Sequence, residues 1–257
     1  MRSVFYPILG DRTWGWPGHI IDILAVLATL FGLATSLGLG AQQASAGIEH
    51  VFGLSGGIGL QIIVIIAVTL LAIVSVVRGL DGGVKLLSNV NMIIAFFLLM
   101  FVIALAFAVS MGTIPQTIIA YVQNIIPLSN PHGRPDEAWL QGWTVFYWAW
   151  WIAFAPFVGV FLARISKGRT IREYIFGAMI IPSLMCFIWF ALVGGTAIDL
   201  ELSGVANGAI ANASQADKLF VMLNVILGEN LAYLMSLVIV VLLLTYLITS
   251  ADSAVLI

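Results

Sequence analysis

Between Trp143 and Phe157 the chain reads Trp-Thr-Val-Phe-Tyr-Trp-Ala-Trp-Trp-Ile-Ala-Phe-Ala-Pro-Phe, with five large aromatic residues in the six positions from Phe146 to Trp151. On a helix, Trp150 and Phe154 stand four residues apart and Trp151 and Phe154 three apart, so all three rings can line one surface. Aromatic faces attract weakly hydrated cations that donate no hydrogen bonds, above all quaternary ammonium groups, by about 2 kcal/mol or more per desolvated ring. A box of three rings holds a trimethylammonium group without a carboxylate partner, and this stretch has no Asp or Glu before Glu173. The competing reading is an aromatic stripe that only packs against other helices. Periodicity alone does not separate the two.

Thr249 and Ser250 place two hydroxyls side by side, with Tyr246 one turn before them. Such hydroxyls in an apolar helix commonly bond back to the carbonyl four residues earlier. Asp252 follows closely, and an ionisable side chain in a membrane segment is a functional candidate. A helix-terminus role near the interface and an ion-coupling role both fit it, whereas Asp22, one turn into an apolar block, reads as a solvated helix start. Gly53-Leu-Ser-Gly-Gly57 satisfies a loose nucleophile pattern. That chemistry needs a histidine base, and His19, His50 and His132 all fall in or beside loops. The glycines more simply make a turn. With no zinc-protease or phosphate-loop motif either, the chain does not read as an enzyme and has no catalytic residue. A channel would call for a polar or charged ring at the centre of its spans, where this chain is aromatic.

The elements that position these residues follow from composition. Of the 257 residues 61% are hydrophobic and 9% charged, and mean hydropathy is +1.11. Soluble domains carry roughly a quarter charged residues. The apolar residues come in blocks of about 20, which match the bilayer core when helical, and they lack the strict alternation of a membrane barrel. The expected fold class is therefore all-α integral membrane, a single transmembrane domain over 1–257. Six spans are expected at 19–40, 56–77, 90–111, 141–165, 174–198 and 231–257, with an interfacial helix over 115–126 whose Ile118, Ile119, Val122, Ile125 and Ile126 share a face. With the N-terminal segment inside, the inner loops hold eight of the ten Lys and Arg, and the outer loops only Arg134 and Lys218. That asymmetry fixes sidedness. The inner run Arg164, Lys167, Arg169 and Arg172 reads first as topology and lipid contact. The net charge of −2 implies no pull toward nucleic acid, and Cys186 is the one cysteine. The apolar run at Ile257 has no stop signal, so helices are expected to be missing at both ends.

Two features bear on the aromatic span. Trp143 suits an interface anchor, but Trp148, Trp150 and Trp151 sit near the span's centre. Pro156 removes the donor for the carbonyl of Ile152, and a helix interrupted at that depth is a common sign of a transporter binding site. On the first span Ala28, Gly32, Ser36 and Gly40 recur every four residues and leave a smooth groove. This groove serves helix packing or borders a solute path.

Trp143-Thr-x-Phe-Tyr-Trp-Ala-Trp-Trp, Pro156-Phe-Val-Gly, Ala163-Arg-Ile-Ser and Gly168-Arg-Thr-Ile-Arg-Glu173 resemble the signature helix and following cytoplasmic loop of the betaine/carnitine/choline transporter family. Weaker resemblance runs through His19-Ile-Ile-Asp22, Thr35-Ser-Leu-Gly-Leu-Gly40, Leu87-Ser-Asn-Val-Asn91 and Thr249-Ser-Ala-Asp-Ser253. The resemblance implies a bundle of two inverted five-helix repeats, with the fourth span opening the second repeat. It implies a secondary transporter importing glycine betaine, choline or carnitine from within a bacterial plasma membrane. Trp150 and Trp151, with Phe154, Trp148 and Phe146 around them, are then the solute-site residues. The family usually has a third tryptophan where this chain has Phe154. Thr249 and Ser250, beside Tyr246, are implied sodium ligands. A second sodium site would use Thr29 and Phe157, although Leu33 stands where a further threonine belongs. No organic cofactor is implied; the coupling ion is sodium, or a proton in the alternative of proton-coupled choline uptake or exchange. An amino-acid or nucleobase symporter of the same architecture is the other alternative, but an amino acid would need an ammonium partner beside Trp150 and Trp151. Membrane lipid and a homotrimeric assembly complete the implied partners.

Overall fold

The computed structural model describes every residue except 78–84, 108–112, 131, 133, 134, 256 and 257. Among the described residues every regular element is helical. Six helices are long and apolar enough to cross a membrane, since helices alone satisfy every backbone group internally along so apolar a run. They are Trp16–Phe52, Ile58–Val77, Lys85–Phe107, Glu137–Ile165, Ile171–Leu202 and Glu229–Val255, called the first to sixth helices below. Thr113–Ser129 is a shorter apolar helix, and short helical turns cover Ala209–Asn212 and Lys218–Ile226.

The helices overrun the apolar blocks, and the reasons are local. The first continues twelve residues past Gly40, through a stretch rich in Ala, Gln and Glu with no proline. It stops where Gly53 takes a left-handed conformation (φ 65°) and its N–H bonds the Glu49 carbonyl at 2.8 Å. Ala41, Ala44, Ser45, Gly47 and Val51 are buried in that extension, so packing rather than lipid supports it. The third helix begins at Lys85 rather than 90, and the expected span's end at 108–111 lies outside the described residues, as do 256 and 257 of the sixth. The fifth starts at Ile171 on a capping box: the Thr170 hydroxyl accepts from the Glu173 N–H while the Glu173 carboxylate accepts from the Thr170 N–H at 2.8 Å. The Gly168-Arg-Thr-Ile-Arg-Glu173 motif thus has a helix-starting role.

The expected interruption at Pro156 is absent. Phe146–Ile165 runs as α-helix straight through it. One missing donor does not break a ladder whose remaining groups have no alternative partner in apolar surroundings. The irregular turn lies earlier, where Leu140–Val145 is wound as π-helix. Two further π turns, Phe176–Ile180 and Phe190–Gly194, widen the fifth helix, the first directly before Pro182. A wider turn there makes room for the proline ring.

The sixth helix lies at the centre of two apolar clusters. One joins Val51, Leu98, Phe220, Leu223, Met235 and Ile239; the other joins Ala41, Ala44, Val64, Val68, Leu247 and Ile248. The first helix meets its neighbours through glycines. A Cβ on Gly32 would come within 2.6 Å of the Phe154 ring on the fourth helix. One on Gly40 would strike Leu247 on the sixth, and one on Gly47 would strike Val240 and Phe220. The small-residue stripe is therefore a packing face, and at Gly32 what packs on it is the aromatic face itself. Gly38 on the same helix has open space around it. We expect Gly32→Ala to destabilise the protein by about 1–3 kcal/mol through overpacking, whereas Gly38→Ala is neutral or slightly stabilising. Thermal unfolding in detergent compares the two; equal midpoints would remove the close-packing assignment.

Candidate functional site

The aromatic residues of the fourth helix form a ladder along one face. Trp139 stacks on Trp143 with centroids 6.5 Å apart, and Trp143 on Tyr147 at 5.8 Å, nearly parallel. Trp150 meets Tyr147 at 5.7 Å and Phe146 at 6.1 Å, then Phe154 edge-to-face at 6.2 Å. Phe154 passes the contact to Phe157 at 5.5 Å, and Phe157 to Phe161 at 6.5 Å. The i, i+3 and i, i+4 spacing of the residues generates this order directly. Edge-to-face and offset pairs fix ring orientation and contribute about 0.5–1.5 kcal/mol each beyond area burial. Trp150, Phe146 and Phe154 are half-buried and Phe157 is buried, so this face is held by its neighbours.

Trp150, Trp151 and Phe154 line one groove of about 540 Å³, completed by Ala155, Val158, Gly159 and Leu162. No charged side chain borders it. Trp151 is 71% exposed and contributes one edge of the groove. Phe146 lies one turn away in a second cleft of about 500 Å³, shared with Trp143, Tyr147, Trp150 and the amides Gln42 and Gln43 of the first helix. Trp148 is set apart: it is 68% exposed and joins no ring pair among the described residues. The structure therefore brings Trp150, Trp151 and Phe154 together, holds Phe146 behind Trp150, and leaves Trp148 outside.

Thr29 and Phe157 share a third cleft of about 510 Å³ with Asp22, Pro156 and Arg164. The Thr29 hydroxyl donates to the Ala25 carbonyl at 2.8 Å, which leaves its lone pairs free to accept. Leu33 is half-buried. Asp22 is not merely a solvated helix start: its carboxylate accepts from the Arg2 side chain at 2.6 Å and from the Arg2 backbone at 2.9 Å. On the sixth helix, the Thr249 hydroxyl donates back to the carbonyls of Thr245 and Tyr246 at 3.1 and 3.0 Å and accepts from the Asn91 amide at 3.5 Å. Ser250 and Tyr246 are exposed. Asp252, by contrast, is fully buried within the helix rather than solvated at its end. Asn91 and Ser75 are buried polar residues facing this region from the third and second helices; Asn91 closes the Leu87-Ser-Asn-Val-Asn91 stretch of family resemblance, whereas the only signal for Ser75 is polarity inside an apolar run.

The Gly53–Gly57 segment is a turn. Gly53 caps the first helix, Gly57 has φ +124°, and His50 is engaged with Asn224 at 2.9 Å and stacked on Phe220.

The family model for betaine/carnitine/choline family transporters matches residues 1–257. Glycine betaine transporter 1 of Vibrio parahaemolyticus is 59% identical over 254 residues, covering 98% of this chain and 48% of that protein. A glycine betaine/proline/choline/ectoine transporter of the same organism is 57% identical over 98% of this chain and 45% of its own length. Glycine betaine transporter OpuD of Bacillus subtilis is 40% identical over 99% of this chain and 49% of its own length. The chain spans about half the length of the curated relatives it matches. It is a multi-pass membrane protein, which in a bacterium resides in the plasma membrane, and it belongs to the betaine/carnitine/choline transporter family.

Proposed function

We propose that this chain works within a secondary active transporter that imports a quaternary-ammonium solute, with glycine betaine as the principal substrate. The observation that carries this reading is the uncharged groove bordered by Trp150, Trp151 and Phe154. A methylated ammonium offers no hydrogen-bond donor and sheds its hydration cheaply, so ring faces suit it better than a carboxylate does. Glycine betaine is the solute common to the names of the three relatives described above. The remaining wall of the box comes, in this proposal, from parts of the protein beyond this chain, within the two inverted five-helix repeats of the family architecture. Phe154 keeps a ring face but is a weaker cation partner than indole, so Trp150 and Trp151 carry most of the attraction. A trimer is the assembly we assign, following the family resemblance.

Sodium is the coupling ion in this reading, bound through the Thr249 and Ser250 hydroxyls beside Tyr246, with Thr29 and Phe157 bordering a second site. Hydroxyl and carbonyl oxygens are hard donors that suit an alkali cation. The back-bonded Thr249 and Thr29 hydroxyls point their protons at helix carbonyls, which leaves oxygen lone pairs available.

Two outcomes test the proposal in the complete transporter, expressed in a strain lacking its own betaine carriers. The Trp150→Ala/Trp151→Ala variant weakens apparent glycine betaine affinity by at least about 100-fold, since two rings at roughly 1.4–2 kcal/mol each are lost; unchanged uptake would sink the solute-site assignment. Replacing sodium by potassium abolishes uptake, and Thr249→Ala/Ser250→Ala raises the half-saturating sodium concentration. Uptake that persists in potassium and follows the pH gradient would move the coupling to protons.

A further inference from the structure

The second, third and sixth helices carry buried oxygen atoms that no hydrogen bond satisfies among the described residues. Asp252 is 0% exposed, Asn91 2% and Ser75 9%. Both Asp252 carboxylate oxygens, the Asn91 carboxamide oxygen and the Ser75 hydroxyl lack a hydrogen-bond partner among the described residues. Ser75 faces the carboxylate without closing a hydrogen bond of sound geometry. Asn91 is oriented by its other amide atom, which donates to Thr249 one turn before Asp252. Ala72, Ile248 and Ala251, neighbours of Ser75 and Asp252 in the chain, belong to a buried apolar cluster against which Leu87 packs, and no ion pair to Asp252 occurs among the described residues.

A buried carboxylate without partner is costly, and an unpaired ion in an apolar interior costs more than any single hydrogen bond returns. We infer that Asp252, Ser75 and the carboxamide oxygen of Asn91 form a binding site for a monovalent alkali cation, separate from the Thr249 and Ser250 hydroxyls assigned above. The donor set is all oxygen, which excludes a preference for soft metals. A calcium site gathers more carboxylates, and no group of three His, Cys, Asp or Glu exists among the described residues. One carboxylate neutralises one positive charge, so a monovalent ion leaves the cluster neutral where a divalent ion would not. Sodium suits four oxygens of this hardness, all of them buried and unsatisfied among the described residues. The site also accounts for a fully buried aspartate that solute recognition by aromatic rings does not use.

Binding of ²²Na⁺ to the purified complete transporter in detergent tests the site. We expect Asp252→Asn, nearly isosteric, to lose one sodium component or weaken it at least about tenfold, as removal of a charge-assisted contact does. Ser75→Ala weakens the same component by a smaller factor, and Ser250→Ala retains it. Wild-type sodium affinity and stoichiometry in a monodisperse Asp252→Asn protein would overturn the inference. Should Asp252→Asn fail to fold, isotope-edited infrared spectra of the wild type with ¹³C-labelled aspartate decide. A sodium-induced shift of a buried carboxylate band supports the site; a protonated carboxyl band indifferent to sodium refutes it.

Discussion

The first helix must lie within backbone distance of two neighbours at once, and most of the arrangement depends on that. Gly32 admits the Phe154 ring of the fourth helix, Gly40 admits Leu247 of the sixth, and Gly47 admits Val240 and Phe220. In lipid, close packing of small residues replaces the hydrophobic drive that water supplies elsewhere. The contact at Gly32 sets how far the aromatic face stands from the first helix. The contacts at Gly40 and Gly47 set where the sixth helix, with its hydroxyls and its buried aspartate, lies relative to that face.

The aromatic ladder is in the first place a consequence of packing. Rings from Trp139 to Phe161 touch in sequence, so Trp150 is clamped by Tyr147 and Phe146 on one side and Phe154 on the other. Packing does not preclude recognition: Trp150 and Phe154 are held by ring neighbours and, with the exposed Trp151, line the groove. Preorganised rings lose little freedom when a cation arrives, which preserves binding free energy.

Much of this was legible in the sequence because lipid imposes a strong rule on long apolar blocks. The positions of the six long helices and the grouping of Trp150, Trp151 and Phe154 followed from block length and helical spacing. What escaped was set by partners distant in sequence. The extension of the first helix to Phe52 is stabilised by packing on the sixth, which a hydropathy block does not register. Lys218, expected in an outer loop, starts the Lys218–Ile226 helix, whose Phe220 fills a core. Pro156 suggested a break that the continuous helix does not make. Trp148 sits among the same run of indoles as Trp150, yet its angular position leaves it outside the ladder. Asp252 stands near the end of an apolar block, and local text alone could not tell a solvated terminus from the enclosure that Ser75 and Asn91 provide.

In the proposed function the indoles Trp150 and Trp151 of the fourth helix bind the solute. That assignment is tested most directly by ¹⁹F NMR of the complete transporter labelled with 5-fluorotryptophan, with resonances assigned by single Trp→Phe variants. On adding glycine betaine in sodium buffer, the Trp150 and Trp151 resonances shift and saturate together, while that of Trp189 on the fifth helix stays in place. A saturable shift elsewhere with Trp150 and Trp151 unmoved would contradict the account.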